Sequence, residues 1–261
     1  LNATLKAQKT FGDGYYVMMA YNYLNSQDVN SIEAEITGDA FAFNAALGNV
    51  NDDVLANSKY GDQHRIIGVG SKKWNYANDK WATTVSAFFE YAKGGRFNYT
   101  YGGDINGDGS NLNDLLYIPT SSEIGEMQFS EPGQGAAFDA YIAQDDYLNG
   151  RRGQYAERYG AISPWRGRLD LKILQDYNIK INENRTNTLQ LSLDILNVGN
   201  MINSDWGVMQ QPNNVQPIGV TVDPGTNTPT YTFNPDLKET FGYDTSLASR
   251  WQAQFGLRYI F

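Results

Sequence analysis

The last eleven residues, Trp251 to Phe261, carry apolar side chains at every odd position, while Gln252, Gln254, Gly256 and Arg258 fill the even ones until Ile260. A period of two over about ten residues, ending on a terminal aromatic, describes a strand with one apolar and one polar face, long enough to cross a bilayer within a closed β-barrel. The same signature recurs upstream. Residues 165 to 173 place Trp165, Gly167, Leu169, Leu171 and Ile173 on one parity and Arg166, Arg168, Asp170 and Lys172 on the other. Four charges in a row on one strand face do not fit a soluble core, but they fit a water-filled barrel interior.

Residues 188 to 195 alternate Thr188, Gln190, Ser192 and Asp194 with Leu189, Leu191, Leu193 and Ile195, and residues 81 to 91 alternate in the same way. Weaker versions cover Leu1 to Lys9, Tyr15 to Asn25 and His64 to Trp74, which makes about seven strands. The chain has 18 Tyr, 12 Phe and 5 Trp, yet no apolar run approaches the roughly 20 residues of a membrane helix, so a helical membrane protein is excluded. The absence of cysteine removes disulfides and thiolate metal sites.

Connections between these strands alternate in length. Phe11-Gly12-Asp13-Gly14, Tyr76-Ala77-Asn78-Asp79 and the stretch Glu183-Asn184-Arg185-Thr186 read as tight turns. The stretches from about 26 to 63, 97 to 163 and 202 to 248 read as long, structureless loops, the arrangement of transmembrane barrels with short turns on one side and long extracellular loops on the other. Within them, Val220-Thr221-Val222 and Tyr231-Thr232-Phe233 read as a hairpin split by Asp223-Pro224-Gly225. Charge follows the same division. Residues 10 to 58, 97 to 150 and 202 to 248 hold 7, 9 and 5 of the 29 acids but only one base, Lys238, so the exterior is expected to be acidic and the strand region basic.

One acidic loop has metal-ligand spacing. Asp104-Ile105-Asn106-Gly107-Asp108-Gly109 matches the opening D-x-[DN]-x-[DN]-G of a calcium loop, in which oxygens at alternate positions converge and glycine permits the sharp turn. Asp104, Asn106, Asp108, Ser110 and Asp114 are the candidate Ca2+ ligands. The closing acid is displaced, since Leu115 occupies the twelfth position and Asp114 stands one residue early; a metal-free Asn/Gly/Asp turn is the alternative.

No catalytic motif accompanies it. His64 is the single histidine, and no G-x-S-x-G, H-E-x-x-H or P-loop occurs, so the chain is not expected to be an enzyme. Seven strands cannot close a single-chain bacterial barrel, which takes an even number and at least eight. The expectation is therefore that a segment precedes Leu1 or that one strand escapes the pattern, and that more barrel, from the same chain or a separate polypeptide, pairs both open edges, because orphan backbone groups in lipid cost several kcal/mol each.

Tyr101-Gly102-Gly103-Asp104 through Gly109, Asn113-Asp114-Leu115-Leu116-Tyr117-Ile118-Pro119, Asn149-Gly150-Arg151-Arg152-Gly153, Ser163-Pro164-Trp165-Arg166-Gly167-Arg168-Leu169-Asp170, Leu193 to Asn200 and the aromatic terminus together resemble TonB-dependent outer-membrane receptors of the Oar-like, carboxypeptidase-regulatory-domain type. The resemblance implies an all-β, transmembrane antiparallel barrel of 22 strands, with residues 1–261 forming its C-terminal part. It also implies a plug inside the barrel and energised uptake of a large ligand in the cell outer membrane. Implied partners are the rest of the barrel and plug, the TonB complex reached through an N-terminal region, lipid and lipopolysaccharide, and a surface lipoprotein; nucleic acid is not among them. Tyr259 and Phe261 would carry the barrel-assembly signal.

From the residues themselves, Arg166, Arg168, Asp170 and Lys172 are expected to face the lumen, pairing with plug acids or holding an anionic substrate. Trp165, Tyr259 and Phe261 are expected in aromatic belts. Asn197 and Asn200 are expected to form a bulge or turn that launches the last long loop. Two other readings remain open: a small self-contained barrel serving as adhesin or structural anchor, and a soluble calcium-binding β-domain.

Overall fold

The computed structural model describes residues 1–31, 34–183 and 185–261, and antiparallel β-structure dominates it. Seven long strands build one sheet: β1 (Asn2–Phe11), β2 (Tyr15–Leu24), β3 (His64–Tyr76), β4 (Trp81–Lys93), β5 (Trp165–Asn182), β6 (Arg185–Leu196) and β7 (Gln252–Ile260). They lie side by side in chain order, each antiparallel to the next. The sheet does not close, and β1 and β7 are its free edges among the described residues.

Register fixes which side chains share a face. Leu5 pairs with Tyr21, Tyr21 with Ile66, and Ile66 with Tyr91; Tyr91 then pairs with Gly167. Further along, Ile173 pairs with Leu193 and Leu193 with Phe255. Directly paired residues point to the same side of a sheet, so the apolar parity of all seven strands lands on one continuous face. That face is bare: Phe255 is 80% exposed, Leu5 76% and Leu257 70%. The opposite face takes Asn2, Lys6, Asn22, Arg65, Glu90, Arg168, Lys172, Asp194 and Arg258, interrupted by Ile67, Val69 and Phe88.

The turns close one end of the sheet. Gly14 has φ +75°, and a Cβ there would meet Lys73 O at 2.9 Å, which is why the first turn ends on glycine. Ala77, Asn78 and Asp79 all have φ between 53° and 58°. The third turn includes Asn184, which lies outside the described residues. Strand β5 runs nine residues beyond the expected 165–173, reaching Asn182 with a register shift near Lys180. Leu174 and Gln175 invert the alternation and hide the continuation. Gln175 keeps its place on the apolar face because its Oε1 accepts from Thr83 Oγ1 (2.7 Å) and Tyr76 Oη (3.2 Å), and its Nε2 donates to Ala82 O (3.1 Å).

At the other end lie the three long connections, and these fold together rather than remaining structureless. They contain α1 (Thr37–Ala42), α2 (Ser121–Glu126), α3 (Gln134–Gln144), α4 (Asp146–Gly150) and α5 (Val198–Ile202), with a hairpin pairing Ile218–Val222 with Pro229–Phe233. Phe138, Tyr141 and Ile142 recur at i, i+3 and i+4 on α3 and bury against Tyr99, Leu116, Ile118, Ile218 and Phe233. This is the molecule's hydrophobic core, and it belongs to the connections, not to the sheet. Two caps fix helix starts: Thr120 and Glu123 form a capping box on α2, and Asp145 Oδ1 accepts from Leu148 N at 2.8 Å on α4.

Candidate functional site: the acidic loop and the polar sheet face

The acidic loop sits where all three connections meet. Tyr101 N donates to Asp114 O (3.0 Å) and Leu116 N to Tyr99 O (3.0 Å), which closes its base. The first connection joins through Ala46 N to Asn113 O (2.8 Å) and Leu115 N to Ala46 O (3.1 Å). The third joins through Gly102 N to Ile218 O (2.9 Å) and Val220 N to Gly102 O (3.1 Å), and Gln216 Nε2 donates to Tyr101 O (2.6 Å) and Asn111 O (2.8 Å). Gly103, at φ +146°, passes so close to the hairpin that a Cβ would fall 2.2 Å from Val220 O.

Inside the loop, backbone donors wrap the acidic side chains. Asp104 Oδ1 accepts from Gly107 N (2.6 Å) and Asp108 N (3.1 Å), and its Oδ2 from Gly109 N (2.8 Å). Asn106 Oδ1 accepts from Asp108 N (2.8 Å) and Asp108 Oδ1 from Ser110 N (2.9 Å). Asn106 Nδ2 bridges Asp114 Oδ1 (2.5 Å) and Asp108 Oδ2 (3.4 Å), and Asp114 Oδ2 takes Ile105 N (3.1 Å). The Ser110 hydroxyl is committed elsewhere, donating to Ala42 O (3.2 Å) and accepting from Leu112 N (3.2 Å).

Three of the five candidate ligands, Asn106, Asp108 and Asp114, are therefore drawn together through the Asn106 amide, whereas Asp104 is held by the loop backbone and Ser110 flanks them. Asp104, Asp108 and Asp114 do not themselves converge as a three-acid cluster among the described residues. Asp114 is buried, and desolvation pushes its carboxyl above the ordinary aspartate value; the N–H of Ile105 opposes this, while the charges of Asp108 and Asp104 add to it. The residue missed in the sequence is Asn113. It is 1% exposed, its Nδ2 donates to Asp108 Oδ2 (3.1 Å), and its Oδ1 has no partner among the described residues.

Two further polar anchors hold the cap. Asp145 Oδ2 accepts from Tyr99 Oη (3.1 Å) and Thr240 Oγ1 (2.6 Å), linking the second connection to the third. Burial raises the Tyr99 phenol far above its usual range, so it stays a donor. Arg158, 6% exposed, donates to Asp28 O, Val29 O and Asn44 Oδ1, clamping the first connection.

On the polar sheet face the four expected residues sit together and already have acidic or basic partners in this chain. Arg166 reaches Asp62 (2.9 Å), Arg168 pairs with Asp170 (2.6 Å), and Lys172 with Asp194 (2.7 Å). Asp170 Oδ1 also accepts from Asn197 N (2.8 Å), tying the strand to the last connection. Asn197 and Asn200 form a helical turn rather than a bulge: Asn197, at φ +53°, precedes α5 and donates to Gly207 O (2.8 Å). On the apolar face, rings gather in two bands. His64, Tyr21, Tyr23, Tyr91 and Trp165 lie at the connection end, with Tyr21 Oη 2.8 Å from His64 Nδ1; Trp81, Tyr177, Tyr259 and Phe261 lie at the turn end. No protein-family model, curated protein or solved structure matches this chain.

Proposed function

We propose that this chain is the C-terminal part of a TonB-dependent outer-membrane receptor barrel of the Oar-like type, taking up a large ligand through a plugged pore. The observation that carries the reading is the register that puts the apolar parity of seven consecutive strands on one exposed face, bordered by two bands of aromatic rings. An apolar surface of that extent is unstable against water and needs lipid or protein over it. Lys72, on the same face, supports lipid: its ammonium group reaches Asp13 O at the turn and lies 3.7 Å over the Tyr15 ring, a snorkelling geometry.

The two open edges call for neighbouring strands, which the remainder of a 22-stranded barrel would supply. The paired charges of the polar face then line the lumen and meet the plug, and the folded connections form the outward cap where ligand, lipopolysaccharide or a surface lipoprotein would be met. A small self-contained barrel acting as adhesin or anchor needs an eighth long strand; residues 218–222 and 229–233 pair with each other in the cap instead.

The test is carried out on the full-length protein in its native envelope. It should fractionate with the outer membrane, migrate differently when boiled, and crosslink to TonB; deleting the TonB-contacting N-terminal segment should abolish uptake but leave the barrel. A protein recovered without detergent, or unaltered in migration by boiling, contradicts the reading.

A further inference from the structure

We infer that a cavity of about 420 Å3 in the connection between β6 and β7 is a binding site for a neutral saccharide. This inference rests on the cavity's own residues and not on the barrel reading. One wall is the turn after α5 and the other is the segment leading into β7. Asn200 staples the two walls: its Nδ2 donates to Ser204 O (2.9 Å) and Trp206 O (3.1 Å), and its Oδ1 accepts from Trp251 N (3.3 Å). The hydroxyl of buried Ser249 accepts from Met209 N (3.0 Å), and the pairing of Gln210–Pro212 with Phe241–Tyr243 braces the same two segments. The cavity is therefore held open by the fold of the connection, and its volume lies within the roughly 300–1,000 Å3 of small-molecule sites.

The groups that line it are uncommitted. Tyr243 is 62% exposed and Trp251 47%, so both rings are open to a ligand. The Asp205 carboxylate, the Arg250 guanidinium and the Ser204 and Thr245 hydroxyls have no hydrogen-bond or ionic partner among the described residues, and Asp205 and Arg250 share the cavity without pairing. Two rings beside free donors and acceptors suit a ligand with flat C–H faces and a rim of hydroxyl groups. A hydrocarbon would strip water from Asp205 and Arg250 without replacing its hydrogen bonds. An anion would meet the charges of Asp205 and Asp244, and a cation that of Arg250. A neutral polyol accepts from Arg250 and donates to Asp205 at once, with both bonds strengthened by the protein's charge. Asp244 does not compete for it, because its oxygens already hold Ser246 N (2.8 Å) and Ser246 Oγ (2.9 Å). A free oligosaccharide and the neutral sugars of lipopolysaccharide offer the same chemistry.

The experiment uses the full-length protein purified in lauryldimethylamine oxide, a detergent with no sugar headgroup. A printed array of neutral and anionic oligosaccharides, with core and O-polysaccharide fragments of lipopolysaccharide among them, is the probe, and tryptophan fluorescence titrates each binder. Neutral members should bind, and Asp205→Ala and Tyr243→Ala should each weaken that binding about tenfold. Hydrogen exchange on the unmutated protein keeps the test valid should a variant misfold: residues 203–208 and 243–251 should exchange more slowly with the bound oligosaccharide than without it. Capture of intact lipopolysaccharide that its free sugar fragments compete away supports the site and assigns its sugar to the membrane; binding of other free oligosaccharides supports it and assigns the sugar to the medium. Binding of anionic members alone, lipopolysaccharide capture that free sugar leaves untouched, no neutral binder, or a binder to which both variants and the exchange are indifferent would overturn it. Heat-dependent migration of the same sample reports the barrel separately, so the two proposals fail independently.

Discussion

Asn197 shows how a single side chain directs a long connection. It is buried, holds φ +53°, donates to Gly207 O, and receives no Cβ competition because Gly207 is itself at φ +63°, where a Cβ would fall 1.9 Å from Asn197 Oδ1. Asparagine tolerates this backbone region better than other L-residues with a Cβ, and its amide adds a buried hydrogen bond. Asn197→Ala should therefore lower cap stability by about 2–3 kcal/mol, read as a lowered midpoint in the thermal unfolding of the cap. The Asn/Gly composition around 197–200 made a turn legible. Asn113 was not legible, because its burial and its hydrogen bonds to Asp108 and Ala46 arise only when the connections fold together. Gln175 misled for the opposite reason: a polar residue on an apolar face reads as the end of a strand until its four hydrogen bonds are seen.

Among elements, strands and connections differ in what sequence can reveal. Alternation is local, so the seven strands and their shared parity could be read from residues two apart. The cap core joins Tyr99, Leu116 and Phe138 to Ile218 and Phe233, about a hundred residues away in sequence, and no local period announces it. Only the hairpin around Asp223-Pro224-Gly225 was legible there, through its turn residues. Because the cap has its own core, it should unfold separately from the sheet. Phe138→Ala, removing a fully buried ring, should cost about 3–5 kcal/mol. Proteolysis should then cut the 97–164 connection readily while heat-dependent migration of the barrel is unchanged. Loss of both together would show that cap and sheet are one cooperative unit.

For the whole molecule the two sheet faces set the behaviour. On the apolar face Leu257 lies opposite Leu191, and Leu257→Arg should cost about 2–4 kcal/mol if that face is at mid-bilayer depth. Gln254→Arg, on the polar face opposite Asp194, should be nearly neutral, and the pair of variants compared by urea unfolding in lipid vesicles measures the difference. Residues 1–261 contain no cysteine, so once any cysteine outside them is replaced by serine a more direct measurement is open. A single cysteine placed in turn at each position from 253 to 259 of the full-length protein in vesicles, carrying a nitroxide, reports collision with lipid-soluble oxygen and with a water-soluble nickel chelate. Positions 253, 255, 257 and 259 should favour oxygen, and positions 254, 256 and 258 the chelate, in strict alternation. Uniform access of the chelate to both parities, or oxygen preference on the even positions, would contradict a wall with lipid on one side and water on the other.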